Sequence, residues 1–243
     1  MVEHRMRALV TGASSGIGRA VATSLLAGGW HAEAMSRRAP GLDHSNLSHR
    51  QADLAGADDT ERALGGIGPV RALVHAAGLL RTGRHEAWDT EDGARMWRLH
   101  VDAAARLVAR LAPAMPEGGR IVLIGSRVST GAPGRALYAA SKAALDMLSR
   151  SLAAELAPRG ITVNVVAPGA TDTPMLRDPA RAGTAPVVPP MGRLVRPEEV
   201  AALVSFLLSD AAAAITGQRI AVCGGASLPR RAGPRASSSS RTT

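Results

Sequence analysis

Near the start of the chain stands the segment that decides the fold, Arg7-Ala-Leu-Val-Thr-Gly-Ala-Ser-Ser-Gly-Ile-Gly18. A short apolar strand runs into a turn that carries Gly12, Gly16 and Gly18 and then opens into a helix. Glycine permits a tight turn and lets backbone N–H groups approach a pyrophosphate at the positive end of a helix. The segment therefore predicts a nucleotide site in the first strand-to-helix turn.

Beyond this turn, short apolar runs alternate with segments of helical period. Strands are predicted at 7–10, 30–35, 49–52, 71–75, 120–124, 161–166 and 218–222. Helices are predicted from about 15 to 27, around 60–64, and over 91–111, 138–156 and 198–208. This alternation implies one α/β domain over residues 1–228, a Rossmann-like doubly wound parallel sheet with helices on both faces.

Composition singles out two residues. Tyr138 is the only tyrosine, and Lys142 is the only lysine beside 28 arginines. Four residues apart on a helix, the two side chains share a face. An ammonium beside a phenol favours the phenolate and lowers a pKa that is ordinarily about 10. The pair is thus an acid/base suited to a carbonyl or alcohol oxygen.

The end of the second strand bears on the choice of a nicotinamide cofactor. An acid at this position bonds a ribose 2′-hydroxyl and repels a 2′-phosphate. Ser36 stands there and is followed by Arg37 and Arg38, which suit a 2′-phosphate, so NADP(H) is favoured over NAD(H). Glu33 is the competing candidate if the strand ends three residues earlier.

The net charge of +9 includes four arginines and no acid within residues 229–243. We expect this Ser/Arg-rich tail to be disordered, and a nucleic-acid partner is unlikely on this evidence. The single cysteine, Cys223, excludes an internal disulfide and a cysteine-based metal cluster, and we expect no metal. No segment is long enough to span a membrane, so a cytoplasmic location is expected.

In this order and spacing, the motifs resemble the short-chain dehydrogenase/reductase family over nearly the whole chain. The resemblance implies that Asp53-Leu54 lines an adenine pocket, that His75-Ala-Ala-Gly78 is the turn after the fourth strand, and that Pro168-Gly169 holds the nicotinamide. The implied cofactor contacts are Gly12, Ser14, Ser15, Gly16, Ile17, Gly18, Ser36, Arg37, Arg38, Asp53, Leu54, His75, Ala76, Ala77, Gly78, Tyr138, Lys142, Pro168, Gly169, Thr171 and Thr173.

The resemblance also implies a mechanism, hydride transfer between NADP(H) and a carbonyl or secondary alcohol. Ser126 is expected to hydrogen-bond the carbonyl oxygen, Tyr138 to exchange a proton with it, and Lys142 to bond the nicotinamide ribose and lower the Tyr138 pKa. Ser129 is an alternative to Ser126, which lies 12 residues before Tyr138, whereas a spacing of 13 falls on Gly125.

Two departures from the family pattern concern proton transfer. The family usually has an Asn in the helix after the Ala-Ala-Gly turn, where it holds a water of a proton relay. This chain has only Asn46 and Asn164, so His100 is the best match and a candidate catalytic residue. A histidine can hold or pass a proton, or simply pack inside the helix layer. His75 likewise replaces the first Asn of the turn.

The substrate is expected to be a modest apolar ketone or β-ketoacyl thioester. A proline-rich segment, 171–191, is expected to form a substrate lid, with Val187, Val188 and Met191 as candidate contacts. The resemblance further suggests a homotetramer or homodimer. Two other functions stay open: an NAD-dependent dehydrogenase of the dihydrodihydroxybenzoate type, indicated by 77–83 and 170–173, and a catalytically weak nucleotide sensor or scaffold.

Overall fold

Seven parallel strands form one sheet in the order β3-β2-β1-β4-β5-β6-β7 in the computed structural model, which describes residues 6–178 and 187–229. The strands are β1 (Arg7–Thr11), β2 (His31–Ser36), β3 (Leu47–Gln51), β4 (Ala72–His75), β5 (Arg120–Ile124), β6 (Thr162–Pro168) and β7 (Arg219–Val222). The α-helices are α1 (Gly16–Ala27), α2 (Ala57–Leu64), α3 (Thr90–Trp97), α4 (Ala103–Leu111), α5 (Ala136–Leu156) and α6 (Pro197–Leu208). The predicted doubly wound sheet is confirmed.

Alternate residues of the central strands feed two separate cores. Val10 packs with α1 and α6 on one face of the sheet, whereas its neighbour Leu9 packs with α2, α4 and α5 on the other. Both side chains are fully buried. Because both faces are covered, the central strands β1, β4, β5 and β6 are mostly apolar, as is typical of strands in parallel sheets.

The strand order reverses at β1, which places a crevice at the carboxyl ends of the strands. Thr11, the last residue of β1, pairs with Met35 on one side and with His75 on the other. The turns after β1, β2, β4, β5 and β6 therefore meet along one edge of the sheet. The glycine turn, Ser36 to Arg38, the Ala-Ala-Gly turn, Ser126 and Pro168-Gly169 all lie at or just after the ends of these strands.

The predicted continuous helix over 91–111 is wrong at its centre. A π turn at Arg98–Asp102 separates α3 from α4, and the Ala103 N–H bonds the Arg98 carbonyl five residues back. A π turn redirects a backbone carbonyl away from the regular ladder and is frequent at functional sites. Here the Leu99 carbonyl accepts a hydrogen bond from the side chain of His75 instead.

Two further expectations concern the C-terminal tail and the absence of a membrane span. The predicted tail, residues 229–243, lies outside the described residues except for residue 229. Among the helices within 6–178 and 187–229, none is long and apolar enough to cross a membrane.

Candidate active site

The glycine turn after β1 is packed so tightly that side chains do not fit. Gly12 has φ +67°, and a Cβ there would lie 2.8 Å from the Ala77 Cα. A Cβ at Gly18 would lie 2.4 Å from the Gly12 carbonyl oxygen. Ser15 precedes α1 without a capping side-chain bond, and the first turn holds no acid. The N–H groups at the helix start are thus open to an anionic group.

A cavity of about 600 Å³ runs along the carboxyl ends of the strands. Its size and its mixed polar and apolar wall suit an elongated ligand such as a dinucleotide together with a small substrate. The predicted site residues that line it are Gly12, Ser14, Ser15, Gly16, Ile17, Gly18, Ser36, Arg37, Arg38, Asp53, Leu54, Ala76, Ala77, Gly78, His100, Tyr138, Lys142, Pro168, Gly169, Thr171 and Thr173. The structure does not bring Ser126 or His75 to the wall.

The end of β2 carries the residues that the sequence linked to the choice of nicotinamide cofactor. Ser36 is the last residue of β2, and Arg37 and Arg38 follow it as exposed side chains on the cavity wall. Glu33, the competing candidate, is buried within the strand and pairs with Arg50 Nε at 2.9 Å. Because Glu33 is buried and paired away from the cavity, no acid of β2 is placed to repel a 2′-phosphate.

Tyr138 and Lys142 share the face of α5 that borders the cavity, and both are largely buried. The Lys142 ammonium donates a hydrogen bond to the Ile124 carbonyl at 2.8 Å, which anchors it at the end of β5. Burial lowers the pKa of Lys142 from 10.5 to about 7, although the nearby carboxylate of Asp146 opposes the shift. The Tyr138 ring stands edge-on to the His100 ring, with 5.7 Å between their centroids.

Ser126 begins a 3₁₀ turn after β5, between Gly125 and Arg127, which both line the cavity. Its hydroxyl accepts the Val128 N–H at 3.3 Å and keeps its own proton available for another acceptor. Ser129, the alternative, donates its hydroxyl proton to Asp146 Oδ2 at 2.8 Å. Neither serine lines the cavity, and the two differ in that the Ser129 proton is bound to a carboxylate, whereas the Ser126 hydroxyl only accepts a backbone N–H.

His100 is held as a neutral ring by bonds at both nitrogens. The Leu79 N–H donates to Nε2 at 3.1 Å, so the ring proton resides on Nδ1 and is donated to Ser141 Oγ at 3.0 Å. Ser141 in turn donates to the Tyr138 carbonyl oxygen at 2.8 Å. Burial, aided by the Lys142 charge, holds the pKa of His100 well below 6.5. In this arrangement the ring is a fixed support, because passing a proton requires Nε2 to release Leu79.

His75, predicted to contact the cofactor, is fully buried beneath the turn instead. Thr11 Oγ1 accepts the N–H groups of Ala76 and Ala77, each at 3.1 Å, and directs its proton to His75 Nδ1 at 2.9 Å. His75 Nε2 then donates to the Leu99 carbonyl at 3.1 Å. Burial lowers the pKa of His75 to about 3, so the ring is neutral at physiological pH.

The predicted lid is described only in part, because residues 179–186 lie outside the described residues. Its first half lines the cavity through the 3₁₀ turn Pro174–Arg177. Val187, Val188 and Met191, the expected substrate contacts, are 68%, 55% and 73% exposed and do not line the cavity.

Sequence reasoning missed two sets of residues. Arg127 lines the cavity next to Ser126, and Arg219 on β7 bonds the carbonyl of Ser126 from 93 residues away. Neither arginine could be singled out from the sequence, because the chain contains 28 arginines. Thr11, which organises the turn after β4, lay inside the quoted first segment but had no predicted role.

The sequence of this chain is similar to those of known oxidoreductases. Residues 12–227 match the family model described as enoyl-(acyl carrier protein) reductase. The chain is 41% identical over 235 residues to the 3-oxoacyl-[acyl-carrier-protein] reductase FabG of Escherichia coli, covering 90% of this chain and 96% of that protein.

Solved structures agree with this match. The structure of a short chain dehydrogenase family protein from Francisella tularensis has a TM-score of 0.85 at 29% identity, covering 92% of this chain and 99% of that one. The 3-ketoacyl-(acyl-carrier-protein) reductase of Brucella melitensis, complexed with NADH, has a TM-score of 0.83 at 29% identity, covering 93% and 99%.

Proposed function

The chain belongs to the short-chain dehydrogenase/reductase family of oxidoreductases, and we propose that it is an NADPH-dependent ketoreductase with 3-oxoacyl compounds among its candidate substrates. One observation carries the proposal: Tyr138 and Lys142 border the same cavity that Arg37 and Arg38 border after β2. The cavity thus combines an acid/base pair suited to a carbonyl with guanidinium groups suited to a nucleotide phosphate.

The residues of the chain divide the proposed reaction among them. A nicotinamide cofactor, when bound, would supply or accept the hydride. Ser126 donates a hydrogen bond to the substrate oxygen and stabilises its developing charge. Tyr138 gives that oxygen a proton during reduction and takes one back during oxidation. Lys142, fixed by the Ile124 carbonyl, bonds the nicotinamide ribose and by its charge favours the phenolate of Tyr138.

The choice of NADPH rests on the residues of this chain. Ser36 brings no negative charge to the end of β2, and Glu33 is buried in ion pairs with Arg50 and Arg7. The open guanidiniums of Arg37 and Arg38 attract a 2′-phosphate. The related Brucella reductase was solved with NADH, so relatives alone do not decide the cofactor. The same absence of an acid at Ser36 counts against the alternative NAD-dependent dihydrodihydroxybenzoate-type activity.

We also propose that residues 171–178 and 187–191 belong to a lid over the substrate.

We further propose that the protein is a homo-oligomer. Trp97 at the end of α3 and Met147 on α5 are 44% and 58% exposed. Large apolar side chains exposed on two neighbouring helices favour burial against a second copy. Sedimentation of the purified protein tests this, because a monomer at micromolar concentration contradicts it.

The experiment that tests the proposed function is NADPH and NADH consumption by the purified protein with a panel of carbonyl compounds. The panel contains ethyl acetoacetate, acetoacetyl-coenzyme A, simple ketones and crotonyl-coenzyme A. Reduction of a ketone in the panel with NADPH supports the proposal. Reduction of crotonyl-coenzyme A alone points to an enoyl reductase, and binding of NADPH without any turnover points to the sensor alternative.

A further inference from the structure

We infer that Arg219, Asp146 and Ser129 form a positioning clamp that holds the Ser126 backbone at the active site. The inference rests on the proposed function, in which Ser126 binds the substrate oxygen. These three residues come from β7, α5 and the turn after β5, and none of them lines the cavity. We call this set the serine clamp.

Hydrogen bonds connect the serine clamp directly to the backbone of the Ser126 turn. Arg219 Nη2 donates to the carbonyl oxygens of Ser126, at 3.1 Å, and Arg127, at 3.3 Å. Arg219 Nε donates to Ser129 Oγ at 3.1 Å, and Ser129 donates to Asp146 Oδ2 at 2.8 Å. A planar guanidinium with several donors can serve all of these acceptors at once, and an ammonium cannot.

Charge and burial keep Arg219 in this position. Its Nε lies 3.2 Å from Asp146 Oδ2, in a pair whose side chains are 27% and 13% exposed. Partial burial strengthens the attraction relative to a surface pair. Burial raises the pKa of Asp146, while the Ser129 hydroxyl and the charges of Arg219 and Lys142 oppose the rise. The Asp146 carboxylate is thus held between Arg219 and Ser129 in a largely buried position.

The clamp completes the fixation of four consecutive residues. Lys142 holds the Ile124 carbonyl, and the Gly125 N–H donates to the Val166 carbonyl at 2.8 Å. Asp146 also lies against Gly125, where a Cβ would stand 3.7 Å from Asp146 Oδ1. Arg219 donates hydrogen bonds to the carbonyl oxygens of the next two residues, Ser126 and Arg127. A displacement of about 1 Å at a reacting group can cost on the order of a hundredfold in rate, so such fixation matters for catalysis.

The test is a double-mutant cycle between Arg219→Gln and Ser126→Ala, assayed with NADPH and ethyl acetoacetate or acetoacetyl-coenzyme A. We expect Arg219→Gln to lower kcat about tenfold with KM changed less than about twofold, because the serine hydroxyl is misplaced. In the Ser126→Ala background the same change lowers kcat by less than about twofold, because no hydroxyl remains to be positioned. Arg219→Lys, which keeps the charge but not the fork, behaves like Arg219→Gln.

Arg71→Gln is the control, because Arg71 is a partly buried arginine that also pairs with an aspartate, Asp210, and neither of these residues lines the cavity. Equal losses from Arg219→Gln in both backgrounds overturn the inference, since the arginine then acts on stability and not through Ser126.

A second measurement does not depend on turnover. Amide hydrogen exchange of residues 126–131 is expected to accelerate in Arg219→Gln and to stay unchanged in Arg71→Gln. Unchanged amide exchange in Arg219→Gln overturns the serine clamp, whether or not the wild-type protein reduces a substrate. Lack of turnover by the wild-type protein contradicts the proposed function, and the exchange measurement still tests the clamp.

Discussion

His75 and His100 each bond the backbone of the segment that carries the other. His75, at the end of β4, donates to the Leu99 carbonyl in the π turn, and His100, in the π turn, accepts the Leu79 N–H after β4. Both bonds measure 3.1 Å. The two rings thus join the turn after β4 to the helix layer beside Tyr138.

His100 variants separate support from proton transfer. An asparagine mimics the Nδ1 position and keeps the bond to Ser141, whereas a glutamine mimics Nε2 and keeps the bond to Leu79. We expect His100→Asn and His100→Gln each to lower kcat by about tenfold or less, because each retains one bond of net value about 1 kcal/mol. The pH profile of kcat should match that of the wild type. Loss of an ionisation from the profile in both variants would show that His100 carries a proton.

Acid should destabilise the protein through the buried histidines. The His75 pKa is about 3 in the folded protein and about 6.5 in the unfolded chain, so the unfolded chain binds more protons between these values. The stability from neutral His75 is therefore full above about pH 6.5 and is lost as the pH falls towards 3. His100 adds a loss of the same sign.

Urea unfolding between pH 7.5 and pH 5 measures this effect. Each buried histidine should contribute a slope of up to about 1.4 kcal/mol per pH unit. His75→Asn should remove the contribution of His75 and so lower this slope. An equal slope in the wild type and His75→Asn contradicts the assignment of a neutral buried ring.

Cofactor choice is tested at the end of β2. We expect the double variant Arg37→Ala with Arg38→Ala to raise the KM for NADPH about tenfold or more, because charge-assisted bonds to a phosphate contribute roughly 1.5 to 3 kcal/mol each. The KM for NADH should change less than about twofold. In the control variant Arg71→Ala, the KM for NADPH and the KM for NADH should each change less than about twofold. Equal losses for the two cofactors would mean that the guanidiniums do not face the 2′-position.

Local chemistry made much of the site predictable from the sequence. The glycine turn can be recognised in the sequence because Gly12 and Gly18 occupy positions where the Cβ of any other residue would collide with backbone atoms. Tyr138 and Lys142 stand out because the chain has one residue of each type and places them one helical turn apart. Strand alternation likewise gives the parallel sheet, since each element depends on residues close in sequence.

The remaining features depend on partners distant in sequence. The π turn adds a single residue to a helix whose apolar spacing looks regular, and the carbonyl of Leu99 in this turn bonds His75, which lies more than 20 residues earlier. The link from Arg219 to Ser126 crosses 93 residues and becomes visible only when β7 packs beside β6. His100 could be located by its position in the helix, but its fixed protonation follows from Leu79 and Ser141.

The central claim is that Tyr138 supplies the proton in an NADPH-dependent carbonyl reduction. The most direct measurement is the rate of NADPH oxidation with the best carbonyl substrate of the panel, compared between the wild type and Tyr138→Phe, with NADPH binding measured for both. We predict a loss of about 10² to 10⁴-fold in kcat with cofactor binding retained, since phenylalanine removes only the hydroxyl. Turnover in Tyr138→Phe within a few-fold of the wild type would contradict the account.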